Sequence, residues 1–539
     1  MKRLNIALSR QISQSMETGI YMHIETELEK PFGDFGALIG AWGEEKPDAR
    51  ALADSDSQRT WREVGQLTAR IAAQLQRDGL KHGQAVAILG TSNVQYALVY
   101  LAAVRAGGCA APLTTSATPA QLAAMFKDSG AMHLFVDAAK LADLEGVALG
   151  DVQIVMLDHA VGDFPALADW MAEEGATFDA TPPAATDPFN IIYSSGTTGT
   201  PKGIIHSHGM RWHQMAGGFK SIYSRDTRSL VSTPLYSNTT LAVFLPTMCH
   251  GGFARIMEKF DALTYLGHAQ NDQTTHTMLV PVQYQRLMAH TDFDNFDLNN
   301  FIVKFCTSAP FSAELKADVV KRWPGGLVEI YGMTEGGVVC MLQAHHHPDK
   351  LHTVGQPVTG HELIVLDEDD NRLPAGSKGI LTGRSPTMMS GYKNQPEKTR
   401  EMEWRDADGN IWLKTGDIGI VDEDGFVSIV GRAKDMIISG GFNIYPKDLE
   451  ELLEEQPEVA EAAVVGVPSE AWGETPVGFV RLRDDAASPE AILERVNGQL
   501  GKTQRISVLY PIEEMPRSHI GKLLKTDLRA LAAEKISGR

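Results

Sequence analysis

The sequence is poor in cysteine, has fewer positive than negative charges, and contains no long apolar run. Its 539 residues include 4 cysteines and no C-x-x-C pair, which disfavours a disulfide framework or a cysteine zinc site. Lys and Arg total 49 against 68 Asp and Glu, and the net charge of −19 disfavours nucleic acid and anionic lipid as partners. The apolar run at residues 96–104 is too short to span a bilayer, and the N-terminus lacks a signal-peptide core. We therefore expect a soluble, cytoplasmic protein with no transmembrane segment.

The length and the order of apolar segments predict a multidomain α/β protein. A single hydrophobic core stops growing at roughly 250–300 residues, so this chain should form at least two domains. A helix capped by Thr60 is followed by buried strands at 85–89 and 109–113 with a second helix between them. Similar strands recur at intervals as far as residue 331. This alternation predicts a large N-terminal domain of helix-covered, mostly parallel sheets.

The pattern changes twice in the C-terminal third. Short alternating strands joined by acidic turns predict a β subdomain at about 353–431. An acidic helix, two strands and two further helices then predict a small α+β unit. We place the boundary so that the domains are 1–433 and 434–539. The acidic helix face is expected to be solvated, and it comprises Glu450, Glu451, Glu454 and Glu455.

One loop has the composition of a phosphate-binding site. The segment YSSGTTGTPKG, residues 193–203, leaves a buried strand and combines glycines, hydroxyls and one lysine. It does not fit G-x-x-x-x-G-K-[ST], so an ordinary P-loop NTPase is disfavoured. A polar strand-to-helix turn would explain only part of the string. The predicted phosphate contacts are Ser194, Ser195, Gly196, Thr197, Thr198, Gly199 and Lys202.

Four more motifs follow in a fixed order. They are YGMTE (331–335), KTGD (414–417), GRAKDMIISGGFNIYP (431–446) and PRSHIGK (516–522). Together with the phosphate loop, they resemble the motif series of the adenylate-forming (ANL) superfamily, which includes AMP-forming acyl-CoA synthetases and aryl-CoA ligases. The resemblance covers nearly the whole chain. It implies a large domain that binds ATP and a small mobile C-terminal domain that rotates about a hinge.

The residues of YGMTE suit a nucleotide site, and the resemblance gives them roles. Tyr331 can stack on a purine, and Glu335 can hold Mg²⁺ through its carboxylate. By similarity, Thr334 contacts the α-phosphate, and Gly332 and Met333 belong to the same binding segment.

The other motifs supply the remaining nucleotide contacts that the resemblance implies. Asp417 and Arg432 match the ribose-binding positions, and Lys434 matches the hinge. Lys522 matches the catalytic lysine, whose ammonium can bridge the substrate carboxylate and the α-phosphate. The segment CTSAP (306–310) departs from the usual S-G-A-A-P, and its predicted adenine contacts are Ser308, Ala309 and Pro310.

The acyl and CoA sites are also placed by resemblance. The predicted acyl pocket comprises Tyr236, Ser237, Asn238, Thr239, Thr307, Gly336, Gly337 and Val338. Ser237 replaces a histidine found in many acyl and aryl members. Gly440 and Gly441 would line the tunnel for the pantetheine arm, because that arm leaves no room for Cβ atoms. Trp472 would lie near CoA, with a buried structural tryptophan as the alternative.

The resemblance implies an AMP-forming acid–thiol ligase that uses ATP, Mg²⁺ and CoA. No Asp lies between Pro234 and Pro246, which disfavours an amino-acid substrate, and an aromatic or medium-chain monocarboxylate is favoured. One alternative transfers the acyl group to a carrier protein or another acceptor. A second alternative, from another class, is a nucleotide-binding regulatory protein with a degenerate site. The expected partners are small molecules, with no nucleic acid; a homodimer is allowed.

Overall fold

The structure is a computed structural model that describes residues 24–147, 149–194, 202–217, 221–439, 442–469, 472–483, 488–501, 504–518 and 521–537. The chain forms two compact units. The first comprises Met1–Met278, His290–Lys304 and Pro386–Thr399, and the second comprises Leu279–Ala289, Phe305–Ser385 and Arg400–Arg539. The boundary predicted at Lys434 falls within the second unit and stays a prediction.

The helices are short to medium in length, and none of those described is both long and apolar enough to be a membrane span. In chain order they are α1 Ile24–Leu28, α2 Phe35–Glu45, α3 Trp61–Arg77, α4 Val94–Arg105, α5 Pro119–Ser129, α6 Ala138–Leu141, α7 Leu167–Trp170, α8 His208–Trp212, α9 Asn238–Cys249, α10 Ala262–Asn271, α11 Pro281–Met288, α12 Ala313–Arg322, α13 Pro396–Met402, α14 Pro446–Glu454, α15 Pro489–Asn497 and α16 Lys525–Ser537.

Most strands are also short. In chain order they are β1 Arg50–Ala53, β2 Gln58–Thr60, β3 Ala85–Leu89, β4 Cys109–Pro112, β5 His133–Val136, β6 Gln153–Met156, β7 Pro188–Ser194, β8 Lys202–Ser207, β9 Arg228–Val231, β10 Phe253–Ile256, β11 His276–Leu279, β12 Val303–Cys306, β13 Gly326–Met333, β14 Gly336–Gln343, β15 Gln356–Pro357, β16 Glu362–Leu366, β17 Lys378–Arg384, β18 Gly391–Tyr392, β19 Glu403–Arg405, β20 Ile411–Val421, β21 Val427–Arg432, β22 Ile437–Ser439, β23 Phe442–Ile444, β24 Val459–Ser469, β25 Gly473–Leu482 and β26 Val508–Pro511.

Helix α3 forms where the sequence predicts it. Thr60 caps it by accepting a hydrogen bond from the Glu63 N–H, and the Glu63 side chain accepts one from the Thr60 N–H. This reciprocal capping box satisfies two backbone donors that the first turn leaves open. The apolar positions at helical spacing, such as Val64 and Ile71, are fully buried. The predicted helix start is confirmed.

The first unit contains a seven-stranded sheet in the order β18-β8-β7-β4-β3-β5-β6. Strands β4, β3, β5 and β6 pair in parallel, and β7 joins them in parallel through β4. Val86 and Ile88 of β3 face one hydrophobic cluster, whereas Ala87 and Leu89 face another. Burial of both faces is typical of parallel, helix-covered sheets. The predicted α/β class is confirmed.

A second group of strands in the first unit runs in the order β11-β9-β10-β1-β2. Its pairings are parallel except for the hairpin between β1 and β2. The chain leaves strand β9 at Val231 and then forms the segment that leads into α9. In parallel sheets, loops after the carboxyl ends of strands commonly carry binding residues.

The second unit contains the predicted β subdomain. Strands β16, β17, β20 and β19 form an antiparallel sheet in that order, and β21 pairs with β20. The acidic turn at residues 422–425 joins β20 to β21, as expected for a hairpin. Strand β18, at residues 391–392, instead pairs with β8 in the first unit.

The C-terminal part of the second unit is α+β. Strands β23, β22, β25 and β24 are antiparallel, with β26 parallel to β25. The expected solvation of the acidic residues of α14 holds in part, since Glu451, Glu454 and Glu455 are exposed and Glu450 is half-buried. Glu450 accepts hydrogen bonds from the Val464 N–H (2.8 Å) and Lys525 Nζ (2.6 Å), and Glu454 accepts one from the Ala462 N–H. These carboxylates fasten the helix to β24 and α16.

Candidate active site

Asp417 is the buried centre of a polar group in the second unit. It lies on β20 opposite Arg432 of β21 and is 5% exposed. One carboxylate oxygen lies 2.6 Å from Arg432 Nε, and the other accepts a hydrogen bond from the Tyr331 hydroxyl at 2.7 Å. The Asp417 N–H donates to Thr415 Oγ1 at 3.0 Å. Both carboxylate oxygens and the backbone are therefore held in place.

Thr415 is a residue that sequence reasoning did not single out. Its hydroxyl donates to the Leu381 carbonyl at 2.8 Å while it accepts from the Asp417 N–H. It thereby ties the position of Asp417 to strand β17. Its place in the string KTGD was a usable signal, since a hydroxyl two residues before an aspartate commonly forms a local hydrogen bond.

The protonation of this group follows from burial and charge. Burial raises the pKa of Asp417, while the Arg432 charge and the Tyr331 hydroxyl oppose that rise. Burial and the neighbouring Asp417 raise the pKa of Tyr331 well above its ordinary value. Tyr331 is consequently a neutral donor to the carboxylate.

Hydrogen bonds join the two ends of the loop that carries Lys522. Arg517 and Leu523 form an antiparallel bridge, the Ser518 N–H donates to the Lys522 carbonyl (2.8 Å), and the Lys522 N–H donates to Ser518 Oγ (3.1 Å). Arg517 Nη1 also donates to the Gly521 carbonyl at 2.7 Å. The loop backbone is thus fixed by its own residues, within the part that the structure describes.

The structure brings Lys522 close to the Asp417 group. Burial lowers the pKa of Lys522, and the charges of Arg432 and Lys434 lower it further, whereas Asp417 and Asp435 oppose this effect. These groups therefore lie within electrostatic range of each other. Three cations, Arg432, Lys434 and Lys522, near the two carboxylates of Asp417 and Asp435 leave an excess of positive charge that suits a polyanion.

Lys434 lies in a short 3₁₀ turn, Ala433–Asp435, which directly follows β21. The neighbouring Asp435 accepts a hydrogen bond from Arg529 Nη2 of α16 at 2.7 Å. The residue predicted as a hinge is therefore adjacent to a link between this turn and the terminal helix.

The turn between β13 and β14 carries Thr334 and Glu335, both half-buried. Gly336 and Gly337, which follow, both have φ of +86°, a conformation that L side chains rarely adopt. A Cβ on Gly337 would lie 3.3 Å from the Leu413 Cβ. The turn backbone accounts for both glycines, and their contact with an acyl group stays a prediction.

Two other predicted site residues have distinctive surroundings. Val338 is buried with Cys340, Val365, Leu381 and Val427 in the core of the β subdomain, which gives it a packing role. Ser308 adopts φ of +81°, which is strained for a residue other than glycine. Thr307, Ser308 and Ala309 are half-buried after strand β12, and Pro310 is exposed.

Part of the predicted phosphate loop is described in the first unit. Strands β7 and β8 pair antiparallel, with Ser194 opposite Lys202. Lys202 Nζ lies 4.9 Å from the centroid of the Tyr392 ring, a cation–π geometry. Ser195, Gly196, Thr197, Thr198 and Gly199 lie outside the described residues, as do Gly440 and Gly441.

The predicted acyl segment leads into helix α9. Ser237 and Thr239 are buried, Tyr236 is half-buried, and Asn238 is the first helical residue. Asn238 Oδ1 accepts a hydrogen bond from Arg211 Nη2 at 2.9 Å. Arg211 was missed, because nothing in its local sequence marks it as a neighbour of a segment 27 residues away.

Trp472 was predicted to lie near CoA, with a buried structural role as the alternative. Its side chain is 37% exposed, so the buried alternative is wrong. Contact with CoA stays a prediction.

Comparisons with known proteins agree with the motif order. The AMP-binding enzyme family matches residues 40–393, and the AMP-binding enzyme C-terminal domain matches residues 448–522. The chain is 31% identical to a feruloyl-CoA synthase of Amycolatopsis sp, over 91% of this chain and 98% of that protein. It is also 31% identical to 4-coumarate–CoA ligase 5 of Oryza sativa subsp. japonica, over 91% and 93%. ATP-bound MatB from Rhodopseudomonas palustris superposes with a TM-score of 0.81 and 28% identity, covering 92% of this chain and 98% of MatB.

Proposed function

Because the chain belongs to the AMP-binding enzyme family and is an AMP-forming acid–CoA ligase, we propose that it activates an aromatic or medium-chain monocarboxylate. The observation that carries the reaction is the site around Asp417 and Lys522. The preference for an aromatic acid is supported by relatives that are named for aromatic acyl groups. The enzyme uses ATP and CoA as substrates. The carboxylate first attacks the α-phosphorus and displaces pyrophosphate, and the CoA thiol then displaces AMP.

The nucleotide role of Asp417 is supported by its geometry. A carboxylate whose oxygens already meet Tyr331 and Arg432 has a fixed orientation, and each oxygen retains acceptor capacity for a ribose hydroxyl. Arg432, which is 40% exposed, can contact the ribose or a phosphate from the same position. We assign Tyr331, Gly332, Met333, Ser308, Ala309 and Pro310 to the adenine side of this site.

Lys522 is the proposed catalytic residue. Its ammonium would bridge the substrate carboxylate and the α-phosphate as negative charge builds up during attack. Burial lowers the pKa of Lys522 most, and the charges of Arg432 and Lys434 lower it further; a bound polyphosphate would offset the repulsion by these two cations. Thr334 and Lys202 are proposed phosphate contacts, together with the loop at 194–199.

Mg²⁺ fits the residues at the β13–β14 turn. Glu335 supplies a half-buried carboxylate there, and Mg²⁺ commonly binds one or two protein carboxylates beside phosphate oxygens. When bound, the ion would offset the charge of the ATP phosphates. Holding the ion is the role that we propose for Glu335.

The second half of the reaction requires access for CoA. We propose that the C-terminal part rotates at Lys434 and that Gly440, Gly441 and Trp472 then contact CoA. The exposure of Trp472 supports such a contact. Transfer to a carrier protein, the alternative from the sequence, is not favoured, since the similar proteins are named as CoA ligases.

The proposed reaction has a direct test. The protein is incubated with ATP, Mg²⁺, CoA and a panel of aromatic, medium-chain, dicarboxylic and amino acids, and the nucleotide and acyl products are identified. We expect AMP, pyrophosphate and an acyl-CoA thioester, with aromatic or medium-chain monocarboxylates as the best acids. ADP as the nucleotide product, or a preference for amino acids, would overturn the proposal.

Location and assembly are also proposals. The four cysteines are buried and free, which supports a reducing compartment such as the cytoplasm. The homodimer is a prediction that sedimentation velocity would test.

A further inference from the structure

Arg211 places a guanidinium in the interior of the first unit. It is 1% exposed, and its hydrogen bonds go to neutral acceptors: Nε to Asn190 Oδ1 (2.8 Å), Nη1 to Gln214 Oε1 (2.8 Å), and Nη2 to His206 Nδ1 (2.8 Å) and Asn238 Oδ1 (2.9 Å). No carboxylate of the described chain pairs with it. Since a guanidinium has five N–H donors, one donor remains on Nη1.

This arrangement is unusual for a residue with only a structural role. Burial lowers the pKa of Arg211 to about 10, which still leaves the side chain charged at neutral pH. A buried cation without an anionic partner destabilises the folded protein. Proteins retain such unfavourable groups chiefly at functional sites.

Two buried hydroxyls lie in the same region. Tyr96 and Tyr100 lie four residues apart on α4, so they share one face of the helix. Both side chains are fully buried, and among the described residues neither hydroxyl has a hydrogen-bond partner. A buried hydroxyl left without a partner is also unfavourable. The two phenols therefore offer donors that no described protein group accepts.

Tyr100 lies within electrostatic range of the Arg211 guanidinium, and Tyr96 lies within range of Tyr100. The rings of Tyr100 and Phe189 pack together, with their centroids 6.5 Å apart. The next residue, Asn190, accepts the hydrogen bond from Arg211 Nε. Burial raises the pKa of Tyr100, and the Arg211 charge opposes that rise. The pKa of Tyr96 is raised by burial and by the neighbouring Tyr100 and Tyr236.

The proposed acyl segment is attached to these elements at two points. The Leu235 N–H donates to Ser92 Oγ at 2.8 Å, just before α4, and Asn238 accepts from Arg211. Tyr236 lies between the two attachments and within electrostatic range of Tyr96. The unused donors are therefore next to the segment proposed to line the acyl pocket.

We propose that Tyr96, Tyr100 and Arg211 form the far end of the acyl site and bind a neutral hydrogen-bond acceptor, such as a carbonyl oxygen, at the end of the acyl group opposite its carboxylate. The proposal rests on the proposed function, because it refines the substrate class of the same site. A neutral acceptor is favoured over a second carboxylate, since the Arg211 charge already has four neutral acceptors and an anion would lose more hydration energy.

Matched pairs of acids test this assignment. The pairs are 4-acetylcinnamate with 4-isopropylcinnamate, and 7-oxooctanoate with 7-methyloctanoate, which differ in a carbonyl but little in shape. In each pair that is turned over, we expect the wild-type kcat/KM to be about tenfold higher for the ketone, the effect of one or two hydrogen bonds. Tyr96→Phe and Tyr100→Phe should each reduce that ratio several-fold.

A matched control is available in the same unit. The buried Tyr265 hydroxyl donates to Thr277 Oγ1 at 2.9 Å, so Tyr265→Phe removes a hydroxyl that has a partner. We expect this control to lower the melting temperature and to leave the ketone-to-alkyl ratio unchanged. Tyr96→Phe and Tyr100→Phe should not lower the melting temperature, because each removes an unpartnered hydroxyl.

The outcomes separate this inference from the proposed function. Equal kcat/KM for the two acids of each pair, a preference for the alkyl acids, or a ratio that the Tyr96 and Tyr100 variants do not change would overturn the inference alone. Failure to form AMP and thioester from any acid, by contrast, would overturn both proposals.

Discussion

Two sets of charges in the second unit differ in their burial and in their balance: both members of the first are buried, whereas Asp417 is the buried member of the second, and its Lys434 and Lys522 are exposed. Lys316 and Glu329 form a closed pair in which Nζ and Oε2 are 2.5 Å apart, and both side chains are almost completely buried. Lys316 also donates to the carbonyls of Leu351 (2.7 Å) and Thr353 (3.0 Å). The ammonium group of Lys316 therefore has one carboxylate and two carbonyl oxygens as partners within the protein.

The group around Asp417 is not balanced in this way. Arg432 and Lys434 both lie within electrostatic range of Lys522 there, and after burial their charges lower the pKa of Lys522 further. The difference teaches that burial alone does not mark a functional charge. The buried Lys316–Glu329 pair contributes to the fold, whereas the excess of positive charge around Asp417 suits a phosphate-bearing ligand.

Lys522→Ala should have the largest effect on activity. We expect adenylation to fall by about 10²–10³-fold or more, since the ammonium acts where charge builds up in the transition state. The melting temperature should not fall, because the variant removes a cation that Arg432 and Lys434 repel. Exchange of pyrophosphate into ATP and thermal unfolding measure the two results.

Lys525→Ala is the matched control for Lys522. It lies three residues further on and donates to Glu450 at 2.6 Å. It should retain adenylation while losing stability. Normal activity in Lys522→Ala would refute the role of that lysine.

Lys316→Met should have the largest effect on stability. It leaves the Glu329 carboxylate buried without its cation, which we expect to lower the free energy of unfolding by about 3–5 kcal/mol. The double variant Lys316→Met with Glu329→Leu should recover much of that loss, because both charges are then absent. Urea unfolding of the three proteins measures this. A single variant within about 1 kcal/mol of wild type would contradict the distinction between the two sets.

Asp417→Asn should affect nucleotide binding more than the fold. Asparagine can still accept the Tyr331 hydroxyl, but it does not balance Arg432 and offers one fewer acceptor oxygen to the ribose. We expect the KM for ATP to rise about tenfold or more. Steady-state kinetics with varied ATP measure this effect. The KM for the acid, measured on the same variant, is the internal control. An unchanged KM for ATP would argue against the ribose contact.

Lys434→Met should have the smallest effect. Removing one of the cations that repel Lys522 favours the charged ammonium, so the pKa of Lys522 should rise. If the ammonium is the active form, the alkaline limb of kcat/KM for pyrophosphate exchange should move to higher pH, by about half a unit. A limb that stays in place or moves to lower pH would show that Lys434 does not act on Lys522.

Much of the fold was predictable from local patterns. The capping residue Thr60, the apolar run at 85–89 and the acidic turn at 422–425 each specify their structure within a few residues. The motifs YGMTE and KTGD likewise place Tyr331 and Asp417 on strands. The sequence predicted that both belong to one site, although not that their side chains bond directly.

Contacts between distant segments could not be predicted. The environment of Arg211 depends on residues from β7, β8 and α9, which only the folded chain brings together. The acidic face of α14 was expected to be solvated, and most of it is exposed, but Glu450 and Glu454 also accept from backbone N–H groups of β24, a pairing that no helical periodicity encodes. Gly336 and Gly337 suggested space for a ligand, whereas their backbone angles supply a sufficient reason.

Gly521 has a consequence for how the lysine loop can be studied. A Cβ at this position would lie 2.8 Å from Val282 Cγ1 of α11, closer than such carbons approach in proteins. Gly521 also has φ of +75°, so a methyl group there would strain the loop backbone as well as press on the helix, while the Lys522 side chain itself is retained. Gly521→Ala would thus disturb the position of the loop against α11 while keeping the Lys522 ammonium. Comparing it with a Lys522 substitution would separate the contribution of loop position from that of the ammonium.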